Sequence, residues 1–215
     1  MPNPWLDLPA SPPFIAPIDR PGLTPLLRKC DLKLDLLPQP WTGNVNTAEV
    51  FVLALNPGFR PTDYDHLRNA DYAEQWRLAL SFQTRTPFYF LDPALRGVGG
   101  GQYWQRRLRD LIAVAGMEAV AEKVICVEHF AYKSARYRPL GVTLPSQQYS
   151  FELVRTAIID RKQIVVMRSH REWLKSVPEL RSYPYIRLTN PRNPYFSRRQ
   201  MTEDEFGRLV AALRK

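Results

Sequence analysis

The sequence predicts an α/β fold, a three-layer sandwich on a mainly parallel central sheet of about four strands. Two observations carry that expectation. Four short apolar runs recur along the chain: "VFVLAL" (50–55), "KVICVE" (123–128), "QIVVMR" (163–168) and "YIRL" (185–188). Between them lie segments whose apolar residues recur at helical spacing, the alternation expected of strand–helix–strand units.

The first 45 residues hold many of the chain's 20 prolines and little periodicity. Residues 1–45 therefore read as a proline-rich arm, with one short helical candidate at Leu23–Lys29, and residues 46–215 as a single α/β domain. The stretch "WTGNVNTAEV" reads as a turn into the first core strand. Val50 to Leu55 have the length and the β-branched and aromatic content of a buried strand, which Pro57 and Gly58 stop. Pro61 to Gly101 is the least regular span after the arm. It contains "DYAEQWRLALSF", expected to be helical, and "RGVGGG", expected to be a flexible flap. That glycine run lacks the Lys-Ser/Thr end of a phosphate-binding loop.

In "YWQRRLRDLIAVAG", Trp104, Leu108, Leu111 and Ile112 share one helical face, and Gly116 suits the position after the helix. "SQQYSFELVRTAIIDRK" repeats the pattern with Tyr149, Leu153, Ala157 and Ile158, after Ser146 as candidate N-cap. "HREWLKSV" is a short helix after the third strand. Near the C-terminus, Thr202 and Glu205 have capping-box spacing, and Phe206, Leu209, Val210 and Leu213 form one apolar face.

Composition bounds the function. With 45% hydrophobic and 24% charged residues the chain is ordinary for a soluble globular protein. No apolar run approaches the roughly 20 residues that span a bilayer. "MPNPWLDLPASPPF" lacks the basic head and apolar stretch of a signal peptide, so no membrane and a cytoplasmic location are expected. Cys30 and Cys126 are too few for a disulfide framework, and Cys126 inside "VICV" reads as a small buried hydrophobe. His66, His129 and His170 show no metal-ligand spacing, so neither metal nor cofactor is expected.

The 30 Lys plus Arg against 21 Asp plus Glu leave a net charge of +9, which favours a polyanionic partner, nucleic acid first. The excess gathers in "KSARYR" (133–138) and "RNPYFSRR" (192–199), where arginines mix with aromatics as on strand-binding surfaces.

The strand ends collect the chain's unusual polar residues, and in open α/β sheets that edge is where ligands bind. Asn56 follows the first strand, Glu128 and His129 close the second, Arg168 and Ser169 follow the third, and "TNPRNPYFS" follows the fourth. Each alone has an ordinary structural role open to it: Asn and Pro build turns, and a single His at a strand end is usually structural.

Taken in order, "LALNPGF", "ICVEHFAY", "IVVMRSHREW" and "LTNPRNP" resemble the four strand-end motifs of the uracil-DNA glycosylase superfamily, in its single-strand-selective monofunctional and mismatch-specific branches. The resemblance covers roughly Glu49 to Ser197, with a poor match between Pro61 and Gly101. It implies a uracil-DNA glycosylase-like fold, DNA as partner, and base flipping followed by hydrolysis of an N-glycosidic bond. Asn56 would position the water by hydrogen bonds, and Gly58 and His129 would supply donors to the departing base. Phe59 or Phe88 would stack on that base. Tyr195 or Phe196 would wedge the gap left in the strand, with Arg192, Asn193, Arg198 and Arg199 on the DNA backbone.

The departures are specific. His129 stands where the family reads the base with Asn, and the fourth motif lacks the family's His. Aligned on "PRNP", Leu188 falls at that His and Asn190 at the following Ser; aligned on Asn-Pro, Asn190 takes the catalytic-loop position. Apart from Lys133 no lysine lies near the matching strand ends to form a Schiff base, so a monofunctional enzyme is expected. Two alternatives stand beside this reading: a catalytically inactive nucleic-acid-binding module of the same fold, and a hydrolase of nucleosides or nucleotides, against which the arginine cluster speaks.

Overall fold

In the computed structural model, residues 1–29, 31–95, 97 and 100–215 are described. Five strands form one sheet in the order β1-β3-β2-β4-β5: β1 (Trp41–Thr42), β2 (Val50–Ala54), β3 (Val124–Glu128), β4 (Gln163–Val166) and β5 (Ile186–Arg187). The four expected strands are parallel neighbours, and β1 adds an antiparallel edge on β3. That edge strand lies inside the stretch read as arm. Gly43, with φ +118°, turns the chain out of β1, and a side chain there would meet the Val124 carbonyl at 2.5 Å.

Eight α-helices lie among the described residues. They are α1 (Arg20–Leu23), α2 (Thr62–His66), α3 (Ala70–Ala79), α4 (Gly101–Ala115), α5 (Met117–Lys123), α6 (Gln147–Ile159), α7 (His170–Ser176) and α8 (Glu203–Leu213). The sheet divides the core. On one face Val50, Val52, Ala54, Cys126 and Val165 pack against Trp76 of α3, Trp104 and Leu108 of α4, Val120 of α5 and Phe206 of α8. On the other, Phe51, Leu53, Ile125, Val127 and Val166 pack against Phe151 of α6, Trp173 of α7, and Trp5 and Ile15. Strands covered on both faces need apolar side chains at every position, which is why the runs read as continuous rather than alternating.

The N-terminal segment is part of this core. Trp5, Phe14, Ile15 and Ala16 are buried, and the buried Asp19 carboxylate accepts from Tyr132 Oη at 2.7 Å and from the Ser146 amide and hydroxyl at 2.9 and 2.6 Å. Ser146 stands at the N-cap of α6 as expected, but its hydroxyl serves Asp19 and not the helix. The Thr202–Glu205 capping box on α8 is present in full. Gly116, with φ +90°, ends α4 and starts α5 directly, a helix absent from the expected list. In the "RGVGGG" loop, Arg96, Val98 and Gly99 lie outside the described residues. None of the described helices is long and apolar enough to cross a membrane.

The chain leaves β2 for β3 on one side and reaches β4 and β5 on the other. The carboxyl ends of β2 and β4 therefore flank the point where strand order reverses, the usual ligand crevice of such sheets.

Candidate functional site

Asn56 sits just past β2 at that crevice, half-buried. The strand's course continues beside the segment after β3: the His129 amide donates to the Ala54 carbonyl, Phe130 to Leu55 at 2.8 Å and Phe59 to Ser134 at 3.2 Å. Ser134 thus arrives beside Asn56. The Asn56 amide donates to Ser134 Oγ at 3.0 Å and to the Pro57 carbonyl at 3.1 Å. Both amide hydrogens are engaged, which fixes the plane of the group and leaves Oδ1 as an acceptor.

Glu128 is the register partner of Ala54 and lies on the face of α3 and α4. Burial pushes its carboxyl up to about 8, against the pull of the Arg168 guanidinium and the Lys133 ammonium. At neutral pH it is therefore mostly protonated and a hydrogen-bond donor. Cys126 Sγ approaches Oε1 at 4.0 Å, and Oε2 is buried without a partner. Buried polar atoms are nearly always satisfied, which makes this unpaired oxygen exceptional.

Arg168 reaches this group through a local distortion. The amides of Met167 and Arg168 both donate to the Leu53 carbonyl, at 3.0 and 3.2 Å, and Ser169 follows in a left-handed turn with φ 54°. The guanidinium is thereby close enough to act on Glu128, Cys126 and Tyr103, and its buried Nε has no partner. Lys133 Nζ donates to the Gly58 carbonyl at 3.3 Å and to Asp63 at 3.5 Å, and lies 4.9 Å from the Trp76 ring centre. Burial lowers its pKa, against Asp63 and Glu128, which raise it.

The other expected site residues are distributed as follows. Gly58 is exposed and bridges to Ser134, and Phe59 is half-buried, edge-on to Tyr64 with the Lys33 ammonium 5.2 Å from its ring centre. These two stay beside Asn56. His129 does not share its surroundings. It ends the opposite face, 5.1 Å from both Phe151 and Trp173 ring centres. Period-two alternation along β3 sends Glu128 to one side and His129 to the other, so His129, expected beside Asn56, lies on the face away from α3 and α4. Gln147 Nε2 faces His129 Nδ1 at 3.3 Å, which puts the ring proton on Nε2 to donate to Ser176 Oγ at 2.9 Å. Burial lowers the imidazole to about 4. His129 and Ser176 border a cavity of about 190 Å³ also lined by Tyr137, Leu140 and Glu172.

Phe88 is fully buried, edge-on to Trp104, and cannot stack on a base. Phe196 is also fully buried, its amide held by the Arg107 carbonyl, so it is no wedge. Tyr195 is half-buried with its ring 4.5 Å from Arg107 and 5.7 Å from Arg109. Asn190 is exposed, and its Oδ1 accepts from the Asn193 amide at 3.1 Å, a turn contact. Asn193 Oδ1 accepts from Arg107. Arg198 is held by both Glu203 oxygens at 2.8 Å and covers the Phe206 ring at 4.2 Å. Arg192 and Arg199 are exposed.

The structure thus assembles Asn56, Ser134, Glu128, Lys133 and Arg168 at one crevice. Ser134 carries no sequence signal, because its role depends on two chain segments meeting. Glu128 and Arg168 had one: ionisable residues closing apolar strands. Among the described residues no group of His, Cys, Asp and Glu is arranged to hold a metal ion. Comparison with protein-family models, with curated proteins and with solved structures finds no match.

Proposed function

We propose that this protein is a DNA glycosylase-like enzyme that takes an extruded uracil or altered base at the crevice between β2 and β4 and hydrolyses its N-glycosidic bond. The observation that carries this reading is the clamped Asn56 amide at the end of β2, whose Oδ1 remains open to accept a hydrogen bond. An acceptor held in one orientation is what a water molecule needs to present its oxygen to an electron-poor sugar carbon. The bond from that carbon to the base breaks, and its electron pair leaves with the base. Water supplies the hydroxyl to the sugar and a hydrogen to the base. Glu128, mostly protonated at neutral pH, is the donor suited to the charge gathering on the departing base, the role expected of His129.

Catalysis is tested with labelled oligonucleotides carrying uracil, hypoxanthine or hydroxymethyluracil at one position, incubated with protein and treated with alkali. Strand breaks that disappear in Asn56→Ala while binding persists support the reading.

One observation favours the alternative of a nucleic-acid-binding module without activity. Among the described residues no carboxylate contacts Asn56, so water activation would rest on orientation alone. Base-dependent binding with no strand break on any of the three bases would select that alternative.

A further inference from the structure

Two guanidinium groups at the sheet's carboxyl edge have no carboxylate partner among the described residues. Arg107, in the second turn of α4, lies with its guanidinium 4.8 Å from the Tyr103 ring centre and 4.5 Å from that of Tyr195, and donates one Nη to Asn193. Arg168 enters from the end of β4 and acts on the same tyrosine. The Nε of each is buried and without an acceptor, and neither joins any ion pair among the described residues.

A half-buried cation is answered by an anion or left uncompensated. Arg168 acts on the Glu128 carboxyl, which burial keeps mostly protonated at neutral pH. The Tyr103 hydroxyl, held by Arg107, adds a third donor. The cluster is rich in donors and poor in acceptors, and its donors come from two elements that converge on one point. A planar fork with a free Nε–H is the side-chain geometry that suits the oxygens of a phosphate.

We infer that Arg107, Arg168 and Tyr103 form an anion site that takes one phosphodiester group of a nucleic-acid strand. The preference for an anion follows from the orphaned donors alone. That the phosphate belongs to a strand whose base enters beside Asn56 rests on the glycosylase-like reading.

The test uses the full chain and single-stranded oligonucleotides with one uracil, in which a single neutral methylphosphonate replaces each phosphate in turn. Affinity is followed by fluorescence anisotropy across a salt series. One position near the uracil is expected to lose about tenfold or more in affinity, and to flatten the slope of log K against log salt by about 0.7. That position is expected to become silent in Arg107→Gln and in Arg168→Gln, with folding checked by circular dichroism. The wild-type series needs no variant, so an unstable Arg107→Gln leaves it decisive. Uniform tolerance of every methylphosphonate overturns the inference. So does binding of inorganic phosphate by a protein that binds no oligonucleotide, which would assign the site to a free phosphate. Strand breaks without a sensitive phosphate leave the glycosylase-like reading standing and this one fallen. A sensitive phosphate without strand breaks does the reverse.

Discussion

Asn56 and Ser134 are joined by a 3.0 Å hydrogen bond that ties the tip of the central strand to the loop leaving its neighbour. The bond fixes which way the Asn56 amide faces. Removing the amide, in Asn56→Ala, is expected to slow base excision about 100-fold with oligonucleotide binding kept. Ser134→Ala leaves the amide but frees its plane, and a smaller loss of about tenfold is expected, recovered in Ser134→Thr. Single-turnover excision rates decide it, and equal rates in Ser134→Ala and the wild type would reject a positioning role.

Glu128 links stability to pH with a definite sign. Its carboxyl titrates near 8 when folded, against an ordinary 4.5. Between those values the folded chain holds a proton that the unfolded chain has released, so stability falls as pH rises. Glu128→Gln removes that slope and is expected to be more stable than the wild type at pH 9 by on the order of 2–4 kcal/mol. Denaturant unfolding at pH 5 and pH 9 measures it. Excision by the wild type is expected to decline above pH 8, and this limb should vanish in the variant.

For His129 the sign is opposite. The imidazole titrates near 4 when folded, because burial disfavours its cation. Between pH 6.5 and 4 the unfolded chain takes up a proton that the folded chain refuses, so acidification destabilises across that window. His129→Gln is expected to flatten the decline, worth on the order of 3 kcal/mol in the wild type. Excision rates at neutral pH should match in the wild type and Ser176→Ala; a large drop in the latter would return His129 to the chemistry.

Two adjacent arginines are expected to behave differently. Arg198 is held by Glu203 and lies over Phe206, whereas Arg199 is exposed and makes no ion pair among the described residues. Arg199→Ala should weaken oligonucleotide binding and shift its salt slope by about 0.7, and Arg198→Ala should leave the slope unchanged. Thermal melts should show the converse, with Arg198→Ala the less stable.

Asp19 holds three donors from the far side of the sequence. Asp19→Ala strands all three in the core, and a loss of about 3 kcal/mol or more is expected. Chemical unfolding checks this, and a loss below 1 kcal/mol would mean that the N-terminal segment contributes little to the core.

The central strands β2 and β3 were legible because both are buried on both faces and rich in β-branched residues, as in "FVLA" and "VICV". Strand ends were read one or two residues too long at β4 and β5, where apolar character outlasts ladder pairing. Helix α4 announced itself by period and by Gly116, while α5 is too short to show a period. At the crevice, Asn56 was legible from the Pro-Gly that follows it. Which of Glu128 and His129 faces Asn56 was not, since one residue of register reverses the answer. Phe88 and Phe196 misled for a related reason: an aromatic in a loop reads as exposed until the packing that covers it is known.

Cys126 lies fully buried beneath Glu128, and burial raises its thiol pKa well above the ordinary range. A thiol reagent can alkylate it only in moments when the roof over the strand ends parts. In a Cys30→Ser background the labelling rate becomes a clock for that breathing. A strand seated in the crevice should slow the clock without any chemistry being observed.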